Sequence, residues 1–444
     1  MHNLFLGTAK RMMEKWILCG HLDDNDLCEM QVEANTITLP SEYASLTTKI
    51  AKGFPFMKAD EWKSWCLIYS PVVLKGRLED DLFANWIEFV DACRLLTKPT
   101  ITEEEIELAH GSLERFCGGC EELYEHDVLS PNMHLHLHLK ETINDFGPIY
   151  GYWLFSFERY NGLVKGFNTN RKAGFEKTYM NKFVQSGSKG DFYQAHLATI
   201  TSPSHLALFN RLSPATVFVP QQNRLSIFSL PAFLESAMNP TKQTFGNEPL
   251  PPSALPLVLK APTTMRKLEY DCLLKYYKME YADDDLCSAK NMIRNAHFVN
   301  DRIQKFTSIN LLGQVYKGSE GANGRGSYIQ AMYIEKNGDS GEIYAGRIKY
   351  LFVHNFSPTP TPANFLARLN PQHVFAFVEW YEIPYHQPRI NQGIELYKPT
   401  FQKYNYDNIL PVHRILSPIA IGNQASGRGA AKVLVIPLPR KLYA

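Results

Sequence analysis

His134, His136 and His138 alternate with leucines and concentrate metal-ligand chemistry in the stretch 131–162, PNMHLHLHLKETINDFGPIYGYWLFSFERYNG. In a helix His134 and His138 share one face and can share one zinc; in a strand all three histidines share a face. A tight turn, Asn144 to Pro148, follows. The run Phe146–Phe157 then carries no charged residue before Glu158-Arg159. A carboxylate closing such a run is expected to be desolvated, and to need a cation or a metal to stay ionised.

Cys117 and Cys120 precede the histidines with the spacing C-x2-C-x13-H-x3-H, the pattern of a two-Cys two-His zinc finger. Against it, Ser130 stands at the finger's leucine position and Pro131 just ahead of the ligand helix. The alternative is a helix that ends at Gly118-Gly119. A second chemistry-bearing stretch runs from Arg159 to Lys189. Arg159, Lys165, Arg171, Lys172, Lys177, Lys182 and Lys189 face a single acid, Glu176, with Tyr160, Phe167, Phe175, Tyr179 and Phe183 interleaved. Basic and aromatic residues so mixed suit a phosphate backbone and splayed bases, or else a solvated helix face over an aromatic stripe. Arg347 and Lys349 offer an alternative basic surface further along.

The elements that must position these groups read as follows. Residues 4–19 have the helical spacing Phe5, Ala9, Met12, Met13, Trp16, and 21–40 reads as an acidic loop closing at Pro40. Helices are predicted at about 58–70, 79–97 and 102–125, the last opened by Thr102 with three acids behind it. Residues 186–260 shift toward Ser, Asn and Pro, and a helix is expected over 264–280. Residues 306–417 look β-rich, with Asn337-Gly338 as a hairpin turn.

With 444 residues the chain can hold two or three domains, and its aromatic content marks a globular protein. The formal charge of +1 leaves nucleic-acid contact to local patches. Eight irregularly spaced cysteines point to reduced thiols in the cytosol or nucleus, and no apolar run is long enough to span a bilayer. The glycine-rich 318–327 lacks the lysine of a phosphate loop, and Asp145-Phe146-Gly147 lacks any kinase context.

The block NMHLHLHLKE…GP…WLFSFERYNG resembles the C-terminal half of CACTA (En/Spm)-type transposases in their fungal version. MHNLFLGTAKRMMEKW at 1–16, GFPFMKADEWKSWCLIYSPVVLKG at 53–76 and LPVHRI at 410–415 resemble the same family, in the same order. The resemblance implies cut-and-paste DNA transposition by an RNase H-like core, in which three carboxylates hold two Mg2+ or Mn2+ ions. It places the third carboxylate at Glu158. It assigns His2, His134 and His138 to a structural zinc site pinning a helical insertion, with His136 a neighbour. If the basic stretch flanks the catalytic groove, its charge makes Arg159, Lys165, Arg171, Lys172, Lys177 and Lys182 the expected DNA contacts. The family's first two catalytic Asp residues have no match here, and its Asp before MHN is missing, as in a truncated copy or one with a misplaced start codon.

The expected fold is α+β and multidomain. A partial RNase H-like core with its insertion spans 1–200, a linker 201–263, connecting helices 264–305, a small β-barrel-like domain 306–417 and a tail 418–444. GRIKYLFVH and FAFVEWYEIP weakly resemble bromo-adjacent-homology barrels. Expected function is transposase-derived and catalytically incomplete, in the nucleus, with DNA as partner, a homo-oligomer allowed and no membrane. The alternatives are a non-enzymatic DNA- or chromatin-binding module and, last, a zinc hydrolase with Glu141 as base.

Overall fold

The computed structural model describes residues 2–124, 128–167, 174–185, 229–238, 243–251, 254–256, 258–288, 298–320, 324–333, 342–357, 371–384, 392–424 and 431–439. Two compact units emerge, Met1–Tyr152 with Ser229–Ala444, and Trp153–Phe228. The fold is mixed α and β, with an antiparallel sheet.

In the first unit a π-helix, His2–Ala9, runs straight into helix α1, Lys10–Leu18, which buries Met12, Met13 and Trp16 as their spacing predicts. The acidic stretch after it is not a loop. Asp23 and Asp26 cap each other's backbone N–H at 2.8 and 3.0 Å and start helix α2, Asp24–Ala34. The acids belong to a capping box, which also favours negative charge at a helix N-terminus. Helices α3 (Ala59–Ser64) and α4 (Ser70–Val73) flank a π turn at Trp65–Tyr69. Helices α5 (Asp80–Leu96) and α6 (Glu103–Leu123) form a hairpin, α6 being capped by Thr102 and Glu105.

These helices bury one aromatic cluster. Trp16 meets Trp86 edge-on at 5.2 Å, and Phe89 meets Phe116 at 4.8 Å. Each such ring taken from water is worth about 1.5–3 kcal/mol. Helix α6 does not end at Gly118-Gly119 but continues to Leu123. Gly119 is needed for packing instead, since a Cβ there would stand 2.5 Å from Asn85 Oδ1 on α5. The stretch 131–152 is helical too: α7 (Pro131–His136), α8 (Leu139–Phe146) and α9 (Ile149–Tyr152). Gly147, at φ +80°, ends α8.

The sheet is built on one long strand, β6 (Glu342–Asn355). One edge of it pairs with β5 (Tyr328–Tyr333) and then with β2 (Arg302–Phe306); the other edge pairs with β7 (Gln372–Trp380). From β5 the order runs to β10 (Ile415–Gln424), β11 (Lys432–Pro437) and β8 (Glu395–Tyr397), and β7 continues to β9 (Ile409–Pro411). The short β1 (Thr263–Thr264) adds to β2. A separate hairpin, β3 (Ser308–Leu311) with β4 (Gln314–Lys317), turns at Leu312 and Gly313, both at positive φ as a primed turn requires. The Asn337-Gly338 turn lies outside the described residues, though the strands beside it pair as a hairpin would.

The expected barrel does not close among the described strands. Its physical reason is visible in β7, which buries both faces. Phe375 and Phe377 pack with Leu273, Tyr276 and Tyr277 of the helix Lys267–Tyr281. Val374, Ala376 and Val378 pack with Phe233 and Ala237 of the helix Ser229–Met238. A layer with apolar cover on both sides needs no enclosed interior. In β6 the alternation changes parity, Ile348 lying on one side with Leu351 and Val353, and Tyr350 and Phe352 on the other. The register shift between Ile348 and Tyr350 supplies the extra residue that makes this change. Residues 418–424 and 432–437, read from the sequence as tail, are sheet strands. The helical residues join the sheet by Thr38, which exchanges hydrogen bonds of 2.7 and 3.0 Å with Ile421. Arg325 adds donations to the carbonyls of Leu39, Pro40 and Tyr43.

In the second unit, helix α10 spans Phe155–Lys165 and residues 175–185 are helical.

Candidate functional site

His134, at the end of α7, and His138, just before α8, face each other across one turn. Their Nε2 atoms are 3.3 Å apart and their rings meet at 77°. His138 Nδ1 lies 2.9 Å from Glu141 Oε2. In the tautomer whose Nδ1–H donates to Glu141, the His138 Nε2 lone pair can accept from His134 Nε2–H. Two nitrogens on a tetrahedral zinc, at about 2.0–2.1 Å from the metal, stand about 3.3–3.4 Å apart. The pair therefore fits a shared metal, with Glu141 behind His138 as orienting group rather than ligand. Among the described residues no group of three or more metal-ligating side chains converges. The side chain of His2 lies outside them. Its helix does lie against α7: Asn3 Nδ2 donates to the Asn132 carbonyl at 3.3 Å, and Thr8 Oγ1 stands 3.3 Å from His136 Nε2.

His136 points the other way, into the core, 5.6 Å from the Phe89 ring and with no exposed surface. Burial pushes its pKa down to about 4, so it is a neutral packing residue. The finger cysteines are equally remote from metal chemistry. Cys117 and Cys120 sit one turn apart inside α6, and burial pushes their thiols up to about 11 and about 12. Cys120 Sγ accepts from Asn85 Nδ2 at 3.4 Å, and Cys117 Sγ lies 3.7 Å from the Met133 carbonyl. A zinc ligand must be a thiolate, and these environments hold the thiol. All eight cysteines are free.

Glu158 lies in α10 and is exposed. The uncharged run before it is not a buried one, for Phe146 is 75 % exposed and Phe157 64 %. The desolvated carboxylate expected at 158 is instead an exposed one, although Ile149 in the run is buried and Trp153 and Phe155 are half-buried. Lys165 and Lys177 are exposed and Lys182 is half-buried. The side chain of Arg159, and Arg171 and Lys172 altogether, lie outside the described residues. Glu158 and these basic residues belong to the second unit, and the histidine pair to the first.

The alternative basic surface is an internal network. Arg347 donates to Glu379 Oε2 from Nε at 3.1 Å and from Nη2 at 2.7 Å. Lys349 Nζ donates to Glu269 Oε1 at 2.9 Å and to Tyr404 Oη at 3.0 Å. Tyr350 and Tyr404 hydroxyls donate to Glu269 Oε2 and Glu379 Oε1 at 2.9 and 2.8 Å. Burial works to lower the Lys349 pKa, and its bonds to Glu269 and Tyr404 outweigh that and raise it. Both cations are committed to carboxylates: Arg347 ties β6 to β7 through Glu379, and Lys349 holds the helix Lys267–Tyr281 on the sheet through Glu269.

Sequence reasoning missed one feature, in the loop between α2 and α3. Thr48, Phe54 and Phe56 have φ of +64°, +59° and +52°. Each such non-glycine residue costs about 1–2 kcal/mol. Phe54 is clamped between Trp62 and Trp65 at 5.4 and 4.8 Å, whereas Phe56 is 98 % exposed. The string Gly53-Phe54-Pro55-Phe56 signalled a turn, but nothing in it says which phenylalanine goes inside.

No family model, curated protein or solved structure matches the chain. No helix among the described residues is long and apolar enough to cross a membrane.

Proposed function

We propose that this chain is a DNA-binding protein derived from a CACTA-type transposase, acting in the nucleus and carrying a zinc-pinned helical insertion. One observation carries the reading. His134 and His138, which the resemblance assigns to zinc, converge at the spacing of two zinc ligands, beside the helix that bears His2. When bound, zinc would supply a structural cross-link between α7 and that helix, held by His134 and His138 with His2 as the third candidate. The RNase H-like core remains part of this proposal. In the family, strand cleavage and joining use Mg2+ or Mn2+ on three carboxylates. Glu158 is the carboxylate matched here, and we assign no cleavage step to it. Binding without cleavage is the function left to Arg159, Lys165, Arg171, Lys172, Lys177 and Lys182.

Fluorescence anisotropy with labelled duplex DNA over a series of salt concentrations tests the reading. Affinity should fall steeply with salt, because each phosphate neutralised releases about 0.9 counterion. Charge removal at Arg171, Lys172 and Lys177 should flatten the log–log slope by up to about three while leaving any sequence preference intact. Absence of binding at low salt would overturn it.

A further inference from the structure

We propose that Phe56 is a base-stacking residue that inserts against an unpaired or unstacked base of DNA, with Lys52 and Lys58 on the flanking phosphates. This rests on the DNA-binding reading and deepens it.

Three observations converge on the loop. First, Phe56 is the most exposed large apolar side chain among the described residues, at 98 %, and it is held in a left-handed conformation rather than hanging from a frayed end. Second, the loop behind it is braced by hydrogen bonds and packing. Buried Gln31 accepts from the backbone of Ile50 and Ala51 at 2.9 and 3.4 Å through Oε1, and its Nε2 donates to the Leu46 carbonyl at 3.2 Å. Gly53 and Phe54 N–H groups close turns onto Ile50 and Lys49 at 2.9 Å each. The Phe54 ring between Trp62 and Trp65 then anchors the segment two residues from the tip. A ring presented to water from a braced backbone costs little backbone freedom when it meets a partner.

Third, the charge around the tip suits a polyanion. Lys52 and Lys58 are exposed on either side of Phe56 and form no ion pair among the described residues. The neighbouring acids are already engaged, Glu61 by Lys49 at 2.6 Å and Asp60 by Lys63 at 2.7 Å. An exposed ring with a lysine four residues before it and another two residues after it in the chain combines the stacking surface and the positive charge that a base and its adjoining phosphates require. A protein-docking hot spot would instead place its ring within an apolar patch.

The test uses the full chain, a labelled single-stranded oligodeoxynucleotide and the matching duplex. Phe56→Ala should weaken single-strand binding about 5- to 150-fold, the worth of one base stack, and change fully paired duplex binding less than twofold. Phe56→Trp should retain or strengthen it. Lys52→Ala/Lys58→Ala should flatten the salt slope of single-strand binding by about 1.4. Since Phe56 packs on nothing, all variants should keep the wild-type melting temperature. Equal single-strand affinity in Phe56→Ala and wild type overturns this inference and leaves the DNA-binding reading standing. No binding of either DNA by wild type overturns both. Phe56-dependent binding to phosphatidylserine vesicles without Phe56-dependent DNA binding assigns the residue to a membrane surface and also overturns it.

Discussion

His138 is held from both sides, by Glu141 at Nδ1 and by His134 at Nε2, at 2.9 and 3.3 Å. A tautomer of His138 that donates Nδ1–H to Glu141 leaves its Nε2 lone pair facing His134, and the proposed zinc would then require His134 to carry its proton on Nδ1. Purified protein titrated with zinc against a chromophoric chelator should bind one ion. His134→Ala and His138→Ala should abolish binding, while Glu141→Gln should weaken it about 10- to 100-fold. Cys117→Ser/Cys120→Ser should leave it unchanged, and loss of zinc there alone would restore the finger.

Gly118 and Gly119 are adjacent on α6, and the structure gives them opposite fates. Gly118 is exposed with nothing within 4 Å of an added Cβ, whereas Gly119 would drive one to 2.5 Å from Asn85 Oδ1. Gly118→Ala should stabilise by about 0.5–1 kcal/mol through helix propensity. Gly119→Ala gains the same propensity but forces a buried amide off its bond to Cys120. It should lose about 1–3 kcal/mol net in chemical denaturation. Equal behaviour of the two would mean that α5 and α6 do not pack as closely as described.

That pair also marks what a sequence can show. Long helices were legible from apolar spacing and caps, as with Thr102 and Trp16, because both signals are local. The acids at 23–26 were misread because a capping box and an acidic loop share a composition and differ only in which N–H each carboxylate accepts. The two-sided sheet was hidden because β7 lacks a polar alternate face, and its cover comes from helices more than 90 residues before it in the chain. Of the site, the histidine pair was legible as i, i+4 spacing. The exposure of Glu158 was not, since an uncharged aromatic run buries itself only if something packs on it.

Acid should unfold the protein well before its carboxylates titrate. His136, His354 and His373 are buried, and burial pushes their pKa values down to about 4, about 4 and about 3. His354 Nε2 and His373 Nδ1 donate to the Asn300 and Pro371 carbonyls, both at 3.0 Å. Their other nitrogens accept from Tyr277 and Tyr281 hydroxyls at 2.9 and 2.8 Å, so neither can take a proton without breaking a bond. In the unfolded chain each would protonate near pH 6.5. Stability is therefore complete above that value and falls as pH drops through the window from about 6.5 to about 4, because only the unfolded state gains protons. Going from pH 6.5 to pH 5 should cost about 2 kcal/mol per histidine. Urea midpoints measured across that range should fall steeply, and His136→Gln should remove its own share of the slope. A flat profile would put these rings in water.

The Lys349–Glu269 pair should behave as structure rather than as a phosphate contact. Glu269 is 4 % exposed, and its carboxylate is shared between Lys349 and the Tyr350 hydroxyl at 2.9 Å each. Lys349→Met strands a buried carboxylate and should cost about 3–5 kcal/mol. Glu269→Gln alone strands the ammonium group, which keeps Tyr404 as a partner, and should cost less. The double variant removes both charges together and should recover much of the loss, giving a coupling of opposite sign to the single effects. Unfolding free energies of the four proteins decide it. Additive losses would mean that the two charges are separately solvated, and Lys349 would then be free to meet DNA. With coupling, the salt slope of DNA binding should be the same in the double variant as in wild type.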